Sequence, residues 1–274
     1  MEYQHVIYEK ADGVAKIVMN RPERLNALNV RIGVEILDAL DDAEFDESVR
    51  VVVLTGAGRA FCAGDDIKRV PEEDINPPRY PDPAKQYVYG VGRWVTIVRT
   101  MMRLPKPVVG IVNGHAHGAG FNLALGCDFR IISEDATLCT PFVKRGLATG
   151  SNRLQQFVGI GKALEWTMLG TVITAQEADR WGLATMVVPA DQLEAASSKF
   201  IDSLKGAPTA ILGYTKSAVV HGWEQEPDRA YEYQGTALGY SQRTDDYEEG
   251  RRAFREKREP VFNGRGFMEE TGES

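Results

Sequence analysis

An α/β fold assembled from repeated strand–turn–helix units is what this sequence predicts, and three observations carry that prediction. The first is the stretch Pro107-Val108-Val109-Gly110-Ile111-Val112, a β-branched apolar run that reads as a buried strand. It turns through Gly114, Gly118 and Gly120 and runs on as Phe121 to Leu125, a helix opening. The second is the same grammar earlier in the chain. Val51-Val52-Val53-Leu54-Thr55 is a buried strand, Gly56 to Asp66 is a glycine-bearing turn, and Ile67-Lys68 opens a polar, helix-compatible segment. The third is size: 274 residues with 43% hydrophobic and 26% charged side chains suffice for one or two domains with a large core.

A strand, a tight glycine turn and a helix N-terminus present free N–H groups and the positive end of the helix dipole to an anion. Two such units can each point one N–H at a single developing oxyanion. The competing reading is a dinucleotide or phosphate loop. Neither turn completes G-x-G-x-x-G and no G-K-[ST] follows either, which disfavours it.

Composition narrows the function further. A net charge of −7 argues against a nucleic-acid surface. No stretch is long and apolar enough to span a membrane, and Met1 to His5 lacks a signal-peptide pattern, so a cytoplasmic location is expected. Three cysteines without pairing spacing (Cys62, Cys127, Cys139) fit a reducing compartment and no structural zinc. The pair His115 and His117 lacks nearby Cys or Glu partners and is expected to pack or hydrogen-bond, not to bind metal.

In chain order, Val6 to Glu9 and Val14 to Met19 are expected strands joined at the hairpin turn Asp12-Gly13. Asn29 reads as an N-cap, and Ile32, Ile36, Leu37, Leu40 and Phe45 fall at helical spacing toward the core. The Pro- and acid-rich segment from Val70 to Asp82 reads as a loop, either a lid or a surface excursion. A helix is expected from Gln86 to Arg103, with Tyr89 and Trp94 as aromatic candidates for lining a ligand pocket. Strands are expected at 128–132, 136–140 and 186–189, with helices over 151–157, 161–169 and 175–181. From Gln192 the pattern is helical, and the polar tail from Phe267 is expected to be disordered.

From about Val6 to about Arg265 the chain resembles the crotonase superfamily, the enoyl-CoA hydratases and isomerases. The matching motifs run in order: Asn20-Arg21-Pro22…Asn26-Ala27-Leu28; Ala60-Phe61-Cys62-Ala63-Gly64-Asp65-Asp66-Ile67; Asn113-Gly114…Gly118-Ala119-Gly120…Leu123-Ala124…Cys127-Asp128; Glu177-Ala178…Gly182-Leu183-Ala184; and Phe254 to Phe262. The resemblance implies a crotonase-type spiral of ββα units over 1–195 and a helical C-terminal trimerisation region over 196–274, with trimers often stacked into hexamers. It implies an acyl-CoA thioester as substrate, coenzyme A entering as part of that substrate and no other cofactor. By motif position, the thioester oxygen would meet the backbone N–H groups of Asp65 and Ala119. Each lost donor in such a hole costs roughly 3–4 kcal/mol of barrier. Coenzyme A contacts would involve Arg24, Leu25 and Ala27 on the adenine side, and Ala63, Asp66, Ile67 and Lys68 along the pantetheine and phosphate path.

The chain departs from the hydratase pattern at both acid positions. Asn122 stands where the first glutamate is expected and Phe142 where the second is. An amide does not take a proton at neutral pH, and a phenyl ring only shapes a pocket. Asp65 and His117 are therefore the candidate replacements for the acid and base. Three functions remain open: a lyase or isomerase with a non-standard acid/base set and a bulky or cyclic acyl group, a hydrolase or decarboxylase on the same scaffold, and a non-catalytic acyl-CoA binder. No G-x-S-x-G elbow favours a serine hydrolase, and no His partner is visible for a cysteine nucleophile.

Overall fold

The computed structural model describes residues 2–67, 94–148, 153–223 and 225–265. The expected loop at 70–82, Tyr89 and the first half of the helix begun at Gln86 lie outside these residues, as does the tail beyond 265.

Strands β1 (Val6–Ala11) and β2 (Val14–Met19) form an antiparallel hairpin in the register Val6↔Met19 to Ala11↔Val14. Asp12 and Gly13 both take positive φ, 49° and 76°, as a type I′ turn demands. Helix α1 (Val30–Phe45) starts where Asn29 Oδ1 accepts from the Ile32 N–H at 2.9 Å. Its Ile32, Ile36, Ala39 and Leu40 are buried. Phe45 departs from the expected stripe and is 77% exposed. It is the last residue of the helix, and Lys106 Nζ caps that end by donating to the Ala43 and Asp46 carbonyls at 2.7 Å each.

β3 (Val51–Gly56), β5 (Val108–Val112), β7 (Phe129–Ser133) and β10 (Met186–Val188) extend the hairpin into a six-stranded sheet of order β1-β2-β3-β5-β7-β10, parallel from β2 onward. Every residue of β3 is buried, as a central parallel strand requires. A second sheet of order β4-β6-β8-β9 joins β4 (Ala60–Cys62), β6 (His115–His117), β8 (Thr137–Cys139) and β9 (Val172–Thr174). β4 and β6 lie inside segments expected to be turns. At three residues each they are too short to show a period of two, and they form because parallel partners are available. Strands β5 and β6 and the helix at 119–126 that follows them are therefore the ββα element implied by the resemblance.

Helices α2 (Trp94–Arg103) and α3 (Ala119–Gly126) pack on each other, and α3 is buried at every residue. α4 (Leu154–Leu169) is broken at Gly159, where φ 75° and ψ 162° leave the helical region; this separates the two helices expected there. α5 (Ala175–Arg180) opens with a full capping box between Thr174 and Glu177. α6 (Leu193–Lys205) covers the outer face of the large sheet, where Leu193, Ile201 and Leu204 meet Val51, Val53, Val109 and Ile131. The expected division at 195/196 falls inside α6. Helices α7 (Thr209–Gly222), α8 (Pro227–Ser241) and α9 (Asp245–Glu256) complete the described chain, and Lys216 of α7 is ion-paired with Asp128 at 2.7 Å. Among the described residues, no helix is long and apolar enough to cross a membrane.

Candidate active site

The two glycine turns meet. Leu28 and Asp65 form a parallel bridge in which the Leu28 N–H donates to Gly64 O and the Asp66 N–H to Leu28 O, both at 2.8 Å. That pattern turns the N–H of Asp65 to the opposite side of its strand. The same segment abuts the start of α3. Gly64 has φ 97°, and a Cβ on it would stand 2.9 Å from His117 O and 3.3 Å from Ala119 N. Ala119 is the first residue of α3, so its N–H belongs to the turn of donors that a helix cannot satisfy internally. One residue further on, a Cβ at Gly120 would lie 2.1 Å from Cys62 O. Only glycine permits β4 and α3 to approach so closely.

A polar clamp holds the first turn. Asn26, fully buried with φ 55°, accepts from the Arg21 N–H and donates to the Ala57 and Ala60 carbonyls. Asn113 Nδ2 donates to Gly56 O and Gly58 O at 2.9 and 2.8 Å. Arg21 Nη2 and Asp66 Oδ2 form an ion pair at 2.9 Å, with side chains only 6% and 4% exposed. Arg21 also donates to Ala27 O. Asp66 is thus an anchor of the loop, and what it offers outward is backbone. Arg24, Leu25 and Ala63 are half-buried around this clamp, Ala27 is buried, and Ile67 is exposed. Lys68 lies outside the described residues.

At the second turn, Asn122 is buried and its Nδ2 donates to Gly118 O at 3.2 Å, so the amide is tied to the helix start. The Phe142 ring tip faces Gly118: a Cβ there would be 3.5 Å from Phe142 Cζ. An apolar edge therefore sits where the resemblance implies an acid. Asp65 is exposed. The His117 ring is half-buried, with Nε2 3.0 Å from Thr137 Oγ1, and its backbone carbonyl faces Gly64. Burial and the neighbouring His115 both push His117 below the ordinary imidazole range. All three cysteines are buried, and burial pushes the Cys62 and Cys127 thiols up to about 12, which removes either as a nucleophile. Trp94 packs partly buried against the main core.

The groups that sequence reasoning passed over are those whose partners are distant in the chain. Arg21 and Asn26 appear in a motif, yet nothing local shows that one pairs with Asp66 and the other with Ala57 and Ala60. Thr137 lies 20 residues from His117 and gives no signal of its own.

The model of the family described as enoyl-CoA hydratase/isomerase matches residues 9–265. This chain belongs to that family. It is 34% identical to a 1,2-epoxyphenylacetyl-CoA isomerase of Escherichia coli over 257 residues, covering 92% of this chain and 96% of the relative. It is 33% identical to a crotonyl-CoA hydratase of Syntrophomonas wolfei, covering 96% and 99%. Among solved structures, an enoyl-CoA hydratase from Bacillus anthracis superposes with a TM-score of 0.83 at 31% identity, covering 96% of this chain and all of that one. The family contains lyases and isomerases by these names, and the fold of this chain is theirs.

Proposed function

We propose that this chain is an acyl-CoA isomerase or lyase that forms a thioester enolate without the two-carboxylate apparatus of hydration. The observation that carries the reading is the contact of Gly64 with the Gly118–Ala119 peptide, which sets the strand bearing the Asp65 N–H beside the first N–H of α3. Those two donors receive the thioester oxygen. Asp65, whose carboxylate belongs to the same residue as one donor, takes the proton from the acyl carbon. Its negative charge disappears as the enolate charge appears, so the site never holds both anions. Returning the proton to a different carbon completes an isomerisation. Asn122 orients the acyl group or a water, and Phe142 supplies an apolar wall suited to a bulky or cyclic acyl chain.

Coenzyme A would follow the first turn: half-buried Arg24 and Leu25 and buried Ala27 on the adenine side, then Ala63, the Asp66 backbone and exposed Ile67, with Lys68 next in sequence. A homotrimer or a hexamer built from the helices after residue 195 is supported by apolar side chains left exposed there, including Trp223, Tyr231 and Leu238. Buried free thiols fit a reducing, cytoplasmic setting.

Linear and cyclic enoyl-CoA thioesters incubated in deuterated water, with products read by mass and by NMR, test this. Deuterium at the acyl carbons with the thioester intact, or an isomerised or hydrated thioester, is the expected result. Free coenzyme A or lost carbon dioxide would shift the reading to a hydrolase or decarboxylase. Binding without exchange across the whole panel would overturn it in favour of a non-catalytic binder.

A further inference from the structure

The second sheet sets two imidazoles and one hydroxyl in a row. His115 and His117, two apart on β6, project from one face, with ring centroids 5.3 Å apart. Thr137 of β8 stands between them, its Oγ1 2.9 Å from His115 Nδ1 and 3.0 Å from His117 Nε2. A hydroxyl has one hydrogen to donate. It satisfies both rings when one presents a lone pair and the other an N–H. When both rings are charged, both present N–H, the oxygen must accept twice, and its own hydrogen loses its acceptor. Two like charges then face each other as well. The row accommodates one added proton and resists a second.

The surroundings do little to offset that second charge. β4 brings only the buried Cys62 thiol, α3 carries no titratable side chain, and β9 presents Val172 and Thr174. β8 brings Cys139, the register partner of His117, and the turn after it brings Lys144, whose charge acts on Cys139. Among the described residues, His115 is the charged group that acts on His117.

The row is tied to the donor at the start of α3. The His117 carbonyl packs against Gly64, and the Gly118 N–H donates to Cys139 O at 2.8 Å. Gly118 then takes φ 56°, and the next N–H is that of Ala119. β6 is therefore fastened to β8 twice just before the donor, once by the His117 ring and once by the Gly118 backbone.

We propose that His117 and Thr137, coupled to His115 through the shared hydroxyl, are positioning residues for the Ala119 N–H, and that a second proton on the row loosens that donor. The proposal rests on the reading of Ala119 as an oxyanion donor. Its pH direction follows from the burial of His117, which favours the neutral ring in the folded state. The contribution is fully present above the unfolded imidazole value of ~6.5 and is lost as pH falls through the lower folded value.

The test joins NMR titration of the four histidines, read without substrate, to the pH profile of turnover on acyl-CoA. In His115→Gln the His117 midpoint should rise by about half a pH unit, because a like charge is gone. Thr137→Ser should keep the wild-type midpoint. Thr137→Val should shift that midpoint, cut kcat about tenfold with KM little changed, and displace the acid limb of the profile. A His117 that titrates independently of His115, or a Thr137→Val variant with an unmoved midpoint and acid limb, overturns the proposal. A chain inactive on every thioester would remove the enzymatic reading, while the midpoints in His115→Gln and Thr137→Ser still decide whether the row is coupled.

Discussion

The two turns that meet at the site are built alike in sequence and held by different physics. The first, from Gly56 to Asp66, is suspended from side chains: Asn26 and Asn113 grip four of its carbonyl contacts, and the Arg21–Asp66 pair pins its far end. The second, from Asn113 to Ala119, is held mainly by backbone and volume, with α3 buried throughout and Gly120 pressed against Cys62 O. A polar clamp fails by leaving groups desolvated and unpaired. A packed turn fails when an atom is added. The same candidate site is thus exposed to two unrelated kinds of damage.

The comparison can be broken from either side. Asp66→Ala leaves the Arg21 guanidinium buried without its carboxylate and should cost about 3–5 kcal/mol in urea unfolding; a loss below 1 kcal/mol would mean that water reaches Arg21 and that the clamp is not dry. Gly120→Ala pushes a methyl into the Cys62 carbonyl and should cost about 3 kcal/mol. If it unfolds like the parent, α3 slides along β4 and the second turn is not volume-limited. Asn26→Ala removes the partner of two carbonyls and one N–H, for about 2 kcal/mol. Its effect should be strongly non-additive with Asp66→Ala in a double-mutant cycle, because both act on one clamp, and near-additive with Gly120→Ala. The smallest effect has the opposite sign. Thr140, 2% exposed, has a buried hydroxyl with no hydrogen-bond partner among the described residues. Thr140→Val keeps the shape and should stabilise by about 1 kcal/mol; destabilisation on thermal melting would show that the hydroxyl is satisfied in solution.

What was legible in the sequence is what is local. The Asp12-Gly13 hairpin, the Asn29 cap and the glycine turns each carry their cause within a few residues, and each stands where expected. The exposure of Phe45 was not legible, because helical periodicity reports the face of a helix and not where the helix overhangs its sheet. β4 and β6 were hidden because three residues cannot display alternation and their pairing is supplied by partners far along the chain. The meeting of Gly64 with Ala119 joins points 55 residues apart, and family resemblance, not periodicity, pointed to it. Arg21 with Asp66 and Thr137 with His117 are invisible for the same reason: side-chain chemistry names what a residue can bind, and only the fold names what is within reach.

The three buried thiols carry a consequence of another kind. With Cys62 on β4, Cys127 after α3 and Cys139 on β8, each piece of the site has a built-in clock. A thiolate reagent finds no target while burial holds the Cys62 and Cys127 thiols up at about 12. Alkylation then proceeds only as fast as each region opens. The order in which the three sulfurs become labelled is the order in which this candidate site comes apart.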